Sequence, residues 1–314
     1  SCIWPLGCAP RRPGETAGMP IAAAMSWPVA PCASSSRFPS GSSTCMARQG
    51  ISACEDRTMT DAVELPGSDR FRLTSHRDPP RVIKRGDADS LRAEARALAL
   101  LNGSGLAPRL LGHRHAELTM ETIAGRALPL KNLTPRQGRQ LGAALRCVHD
   151  SRRLATGGRS VWASRARSLA GYARRRLTDL EPVPPACAAI ADVARRQLVT
   201  SRTDERTPFR MLHGDLTDGN ILWTPRPVFI DWEFWRTGDP AEDLAYLAVL
   251  NGLPAALERA VLDGYGLAGM AVRVDRWRVF CALDAALWHE REGHSEPARR
   301  LVALARRLSD LPPE

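Results

Sequence analysis

The chain has 314 residues, 44% of them apolar, enough for one large or two modest globular domains. No run of 18 or more apolar residues occurs, so no transmembrane helix is expected. The formal charge is +10, yet Lys84 and Lys131 are the only lysines, and the other 42 basic residues are arginines spread through the helices, most densely at Arg174 to Arg176. A nucleic-acid binder would gather its charge into a patch on a recognisable module, so neither nucleic acid nor membrane is an expected partner.

Residues 1–58 are rich in Pro, Ser, Ala and Cys and keep no period of 2 or 3.6, which reads as a disordered leader. Five of the eight cysteines lie there (Cys2, Cys8, Cys32, Cys45, Cys54), and their odd number and spacing favour neither a zinc site nor a disulfide framework. Arg11-Arg12 before an Ala-rich stretch faintly resembles an export signal, but Pro20, Pro28 and Pro31 interrupt the apolar part, so a cytoplasmic protein is expected. Met59 stands where patterned sequence begins and is the expected native start.

Phe71–Thr74 and Arg81–Arg85 read as strands around the turn at His76–Pro80. Period-2 alternation in the second sets Val82 and Lys84 on one face and Ile83 on the other. No Gly-x-Gly-x-x-Gly precedes them, and Leu65–Phe71, with Gly67 and Ser68, is the nearest substitute. Asp89 or Ser90 can cap a helix that runs to Asn102-Gly103. Glu94 falls within its apolar stripe of Leu91, Ala95 and Leu98, and an acid facing a core needs a partner, for which Lys84 is nearest. Taken alone, the pair reads equally well as an exposed surface contact.

Arg109–Leu111 and Glu117–Met120 complete an antiparallel sheet. Thr134-Pro135 then opens a helix that carries Leu141, Leu145 and Val148 and ends near His149, a histidine that reads as structural. Residues 161–180 and 185–200 read as two further helices, the second opened by Pro184-Pro185.

The most informative stretch is 213–231, HGDLTDGNILWTPRPVFID. Ile221–Trp223 and Val228–Ile230 form a predicted hairpin around a four-residue turn. With Trp223 facing Val228, Asn220 falls opposite Asp231, at about the 5 Å of directly opposed residues. An amide oxygen and a carboxylate converging there suit a hard divalent ion such as Mg²⁺. Asp215 precedes Asn220 by five residues, the interval between acid and amide in a kinase catalytic loop. On its own such a pair more often caps turns. Asp239 opens a predicted capping box with Pro240 and Glu242, and only seven residues separate Asp231 from it, too few for a long activation segment, which argues against a protein substrate. Further on, Trp277, Cys281 and Trp288 make an apolar helix stripe on which Asp284 falls.

HGDLTDGNIL followed by FIDWEFWRTGDPAEDLAYL resembles the aminoglycoside phosphotransferase and choline kinase family, small-molecule relatives of protein kinases. His213, Asp215, Asn220 and Asp231 match its motif positions. The resemblance implies an α+β, two-lobed kinase-like fold, with a small antiparallel-sheet N-lobe over 59–120, a hinge over 121–125 and a mostly helical C-lobe over 126–314. It implies transfer of the ATP γ-phosphoryl group to a hydroxyl of a small cationic molecule, with Mg²⁺. Asp215 would be the catalytic acid–base residue, Asn220 and Asp231 the metal ligands, and Lys84, held by Glu94, the phosphate contact. Gly67 and Ser68 would approach the phosphates, and the backbone of Glu121 and Ile123 the adenine. His213 and Asp243 would support the loop, although an acid at Asp243 also suits a helix start. Glu233, Asp284 and Trp288 are candidate acceptor contacts. Aminoglycoside-type antibiotics and choline- or ethanolamine-type alcohols both lie within this resemblance, and a catalytically silent nucleotide-binding scaffold is the alternative of another class.

Overall fold

The computed structural model describes residues 62–68, 71–77, 79–151, 169–199 and 209–312. The leader, its cysteines and the expected helical residues 161–168 lie outside these.

Five antiparallel strands form the first sheet: β1 (Ala62–Ser68), β2 (Phe71–Arg77), β3 (Pro80–Gly86), β4 (Leu110–Arg114) and β5 (Glu117–Glu121), in the order β1-β2-β3-β5-β4. β1 is absent from the sequence reading, which took Leu65–Phe71 for a loop. Gly67 and Ser68 instead end this strand, where the register with β2 shifts between Leu65 and Ser68. Their side chains lie outside the described residues. β2 and β3 each extend past their expected limits, with Pro80 at the first position of β3, where a strand tolerates the missing N–H.

Helix α1 (Ala88–Leu101) covers this sheet and buries Leu91, Ala95 and Leu98 together with Glu94. Its cap is Asp87, whose carboxylate accepts from the Ser90 N–H at 2.8 Å; Asp89 is drawn instead to Arg92, at 2.6 Å.

The helical lobe begins beyond a short strand, β6 (Arg126–Ala127). Helix α2 (Pro135–His149) opens on a complete capping box between Thr134 and Gln137, with Pro135 in the first turn. Next come α3 (Leu169–Asp179) and α4 (Ala188–Val199), then β7 (Arg210–Leu212). β8 (Ile221–Trp223) and β9 (Pro227–Phe229) form the expected hairpin, but its register differs by one. Trp223 pairs with Pro227 and Ile221 with Phe229. The turn is three residues, closed by Thr224 N–H to the Arg226 carbonyl at 3.1 Å and by the Thr224 hydroxyl to the same oxygen at 2.8 Å. Asn220 therefore faces Ile230, whose N–H donates to its carbonyl at 3.0 Å, and Asp231 lies one residue beyond.

β10 (Arg236–Gly238) pairs with β7 and leads into α5 (Pro240–Leu250), a helix buried from Pro240 through Val249. Helices α6 (Ala255–Tyr265), α7 (Met270–Arg291) and α8 (Ser295–Leu308) complete the lobe. No helix among the described residues is long and apolar enough to cross a membrane.

α2 and α6 approach closely enough to exclude side chains from their contact. A Cβ at Gly142 would overlap the Val261 carbonyl and lie 2.8 Å from the Tyr265 nitrogen, and one at Gly264 would overlap the Arg139 carbonyl. This contact carries His149 and Tyr265 towards the site described below. Gly142→Ala should therefore cost about 1–3 kcal/mol through overpacking, read as a lower thermal midpoint by differential scanning fluorimetry; an unchanged midpoint would contradict this packing.

Candidate active site

The site begins where β7 ends. Leu212 is buried in the core, and the loop His213-Gly214-Asp215 must leave the strand with its N–H groups unpaired by any ladder. Asp243, in the first turn of α5 and fully buried, supplies the acceptors: the His213 N–H donates to Oδ2 at 2.6 Å and the Gly214 N–H to Oδ1 at 3.0 Å. His149 Nε2, from α2, reaches Oδ2 at 3.2 Å, while its Nδ1 meets the Tyr265 hydroxyl at 2.9 Å. Burial raises the Asp243 pKa, but the hydrogen bond and charge of His149, with Arg236 and His213 beyond, outweigh it and hold the carboxyl below its ordinary range.

The ring of His213 is committed at both nitrogens. Nε2 lies 2.9 Å from the Ile230 carbonyl and so carries the hydrogen, while Nδ1 accepts from the Asp215 N–H at 3.3 Å. His213 thus ties the loop to the end of the β8–β9 hairpin. Asn220 donates through Nδ2 to the Asp215 carbonyl at 3.0 Å and to its carboxylate Oδ2 at 2.8 Å, which orients its own amide oxygen away from Asp215. Two contacts outside the motif steady the remainder: Asp218 accepts from the Leu130 N–H and Asn251 donates to the Leu216 carbonyl, both at 2.8 Å.

Burial pushes the Asp215 carboxyl above its ordinary pKa; His213 and the Asn220 hydrogen bond draw it back, and the nearby charge of Asp231 adds to the rise. Asp231 follows with φ +64°, a left-handed turn that swings its carboxylate towards the sheet. There Lys84 Nζ lies 2.6 Å from Asp231 Oδ1 and 2.9 Å from Glu94 Oε2. Glu94 Oε1 in turn accepts from the Trp232 N–H at 3.3 Å. Lys84 is 4% exposed. Burial would depress its ammonium, but the two carboxylates prevail and raise its pKa, whereas burial dominates at Glu94 and raises that carboxyl.

Lys84, Glu94, Asp215, Asn220 and Asp231 therefore converge from four segments: β3, α1, the loop between β7 and β8, and the end of the β8–β9 hairpin. At the connection after β5, the Glu121 N–H donates to the Arg109 carbonyl and the Ile123 carbonyl accepts from Gly125, both at 2.9 Å. The Glu121 carbonyl and the Ile123 N–H take no part in these two bonds.

The three candidate acceptor contacts do not share one setting. Glu233 is buried two residues after Asp231. Asp284 accepts from Arg176 at 3.0 Å and from the Tyr246 hydroxyl, so its carboxylate is engaged within the protein. Trp277 and Cys281 are buried, but Trp288 is 42% exposed because α7 outlasts its packing there, and its ring contacts His289 and His294.

The sequence reading also placed Glu242 in a capping box with Asp239. The Asp239 side chain does accept from the Ala241 N–H, at 2.9 Å, but Glu242 turns inward to Tyr172, Arg176 and Arg236. This fully buried acid and its partners were missed; the available signal was a glutamate within the otherwise apolar run of α5.

The profile of the APH phosphotransferase enzyme family matches residues 67–283, well over half of the chain. The chain belongs to this family. The phosphotransferase is 33% identical over 109 residues to the viomycin phosphotransferase of Streptomyces vinaceus, a match that spans 33% of this chain and 38% of that one. Among solved structures, a choline/ethanolamine kinase family protein from Mesorhizobium loti aligns at TM-score 0.60 with 19% identity, covering 82% of this chain and 90% of the other. The GDP and kanamycin complex of APH(2")-IIia aligns at 0.63 with 16% identity, covering 82% and 95%. These likenesses show a protein-kinase-like two-lobed fold, and the family is one of phosphotransferase enzymes.

A carboxylic acid with a raised folded pKa favours folding while protonated and loses that contribution as pH rises through its folded value. Asp215→Asn keeps the shape and the Asn220 contact without the buried charge. Its thermal midpoint should match the wild type at acid pH, below the ordinary aspartate range, and exceed it once the pH has risen through the raised folded value; a gap that is the same at every pH or reverses would contradict the assigned burial cost.

Proposed function

We propose that this phosphotransferase moves the γ-phosphoryl group of ATP to a hydroxyl of a small, cationic molecule such as an aminoglycoside-type antibiotic. The observation that carries the reading is the position of Lys84, held between Glu94 and Asp231 with Asp215 close by. In this reading the ammonium faces the α- and β-phosphates, steadied by Glu94. The Glu121 carbonyl and Ile123 N–H face the adenine, and the end of β1 at Gly67 and Ser68 lies over the phosphates.

Mg²⁺ fits the donors present. With its nitrogen engaged by Asp215, the Asn220 amide has its oxygen left over, and that oxygen and the Asp231 carboxylate are hard donors of the kind such an ion takes when phosphate and water complete its shell. The Asn220 amide oxygen and the Asp231 carboxylate would hold it, and the bound ion would neutralise phosphate charge. Asp215 would orient the acceptor hydroxyl and take its proton as the oxygen attacks in line, a role favoured by a pKa raised towards the working pH. His213 and Asp243 keep that carboxylate in place.

For the acceptor, the viomycin phosphotransferase likeness supports viomycin or a molecule like it. The choline/ethanolamine kinase likeness supports amino-alcohols as the second reading.

ADP release from the purified chain with Mg·ATP, across aminoglycosides, viomycin, choline and ethanolamine, should depend on one acceptor class. Asp215→Asn should keep nucleotide binding and lose about 10²–10⁴-fold in turnover. Wild-type turnover in that variant would end the assignment, and nucleotide binding without turnover across the panel would favour a silent scaffold.

A further inference from the structure

Asp243 holds the catalytic loop from one side. Against the loop also lies Arg236, the first residue of β10, a residue inside the 229–247 stretch to which the sequence assigns no role. It is 9% exposed. Its Nη2 donates to Glu242 Oε1 at 2.7 Å, its Nε to the Tyr172 hydroxyl at 3.2 Å and its Nη1 to the Phe234 carbonyl at 3.3 Å. A Cβ at Gly214 would overlap this same Nη1 and the Phe234 carbonyl, so the guanidinium packs directly against the loop backbone one residue before Asp215. Gly214, at φ +88°, is the residue type that can pass there.

The anchor behind Arg236 is equally specific. Glu242 has no exposure and is also held by the Tyr172 hydroxyl and by Arg176 Nε at 2.8 Å. Arg176 continues to Asp284 at 3.0 Å and to the Tyr246 hydroxyl at 3.3 Å. Two guanidiniums are thus set against two carboxylates, joining α3, α5, α7 and β10. Burying such a set costs so much desolvation that apolar residues of the same volume often serve stability as well. What apolar residues cannot supply is a planar fork that fixes several directions at once.

We propose that Arg236 is a positioning residue for phosphoryl transfer, acting through the Gly214 backbone to keep the Asp215 carboxylate at the acceptor hydroxyl, and anchored to α3 and α5 by Tyr172 and Glu242. The chemistry it serves rests on the kinase reading above; the clamp itself rests on the contacts. Arg236 touches no proposed nucleotide contact, so its loss acts on turnover and not on nucleotide affinity.

The test compares wild type, Arg236→Lys, Arg236→Met and the double variant Arg236→Met/Glu242→Gln, which neutralises the acid that the single change leaves with fewer partners. Should Arg236→Met fail to fold, the double variant stands in for it. In the Met variant, kcat should fall about 10²-fold, the cost of a misplaced reacting group, with Mg·ATP affinity unchanged, and Arg236→Lys should recover part of the loss. Hydrogen–deuterium exchange should quicken in the peptide covering residues 213–216 and not across the fold. Wild-type kcat, parallel losses of kcat and nucleotide affinity, or a general rise in exchange would overturn the proposal. Absence of turnover in the wild type would count against the kinase reading instead, and exchange at 213–216 would then decide the clamp alone.

Discussion

The His213 and Gly214 N–H groups, at the head of the loop that leaves β7, must find acceptors inside the protein, and Asp243 provides both. An unsatisfied buried donor costs about 1–3 kcal/mol, so the carboxylate that meets His213 and Gly214 fixes the loop's path as well as its stability. Much of the helical lobe is arranged to keep that acid charged and still. The start of α5 carries it, α2 brings His149 against it, and the glycine contact between α2 and α6 lets Tyr265 hold the outer side of His149. A long-range packing feature is thereby connected to the position of one carboxylate.

The second organising contact crosses between the lobes. Lys84 belongs to the sheet, Glu94 to the helix packed on it, and Asp231 to the end of a hairpin in the helical lobe. Three buried or half-buried charges this close are stable only together, because removing one leaves the others poorly compensated. In the proposed reaction the same concentration of charge would meet the polyphosphate and its divalent ion. Asp231 reaches Lys84 through a positive φ, two residues beyond the end of β9.

Much of this was legible in the sequence, for physical reasons. The alternation in β3 marked Lys84 as inward-facing, and the stripe of α1 marked Glu94 as an acid in need of a partner; the two side chains meet at 2.9 Å. The capping box at Thr134 and the end of α2 at His149 also follow the local signals. Hairpin register was less legible, since Thr224 closes a three-residue turn with its own hydroxyl and the prolines gave no warning of it. Glu242 misled because a glutamate three residues after a cap has a familiar local use, while its actual partners on α3 and β10 are distant in sequence. Such tertiary capture leaves no local trace. The α6 and α8 helices and strand β1 likewise went unread.

The most direct measurement is a crystal structure of the protein with Mg²⁺ and a non-hydrolysable ATP analogue. The account predicts phosphates on Lys84, the ion between the Asn220 amide oxygen and Asp231, and the γ-phosphate facing Asp215. A nucleotide bound elsewhere, or phosphates turned away from Lys84 and Asp231, would contradict it.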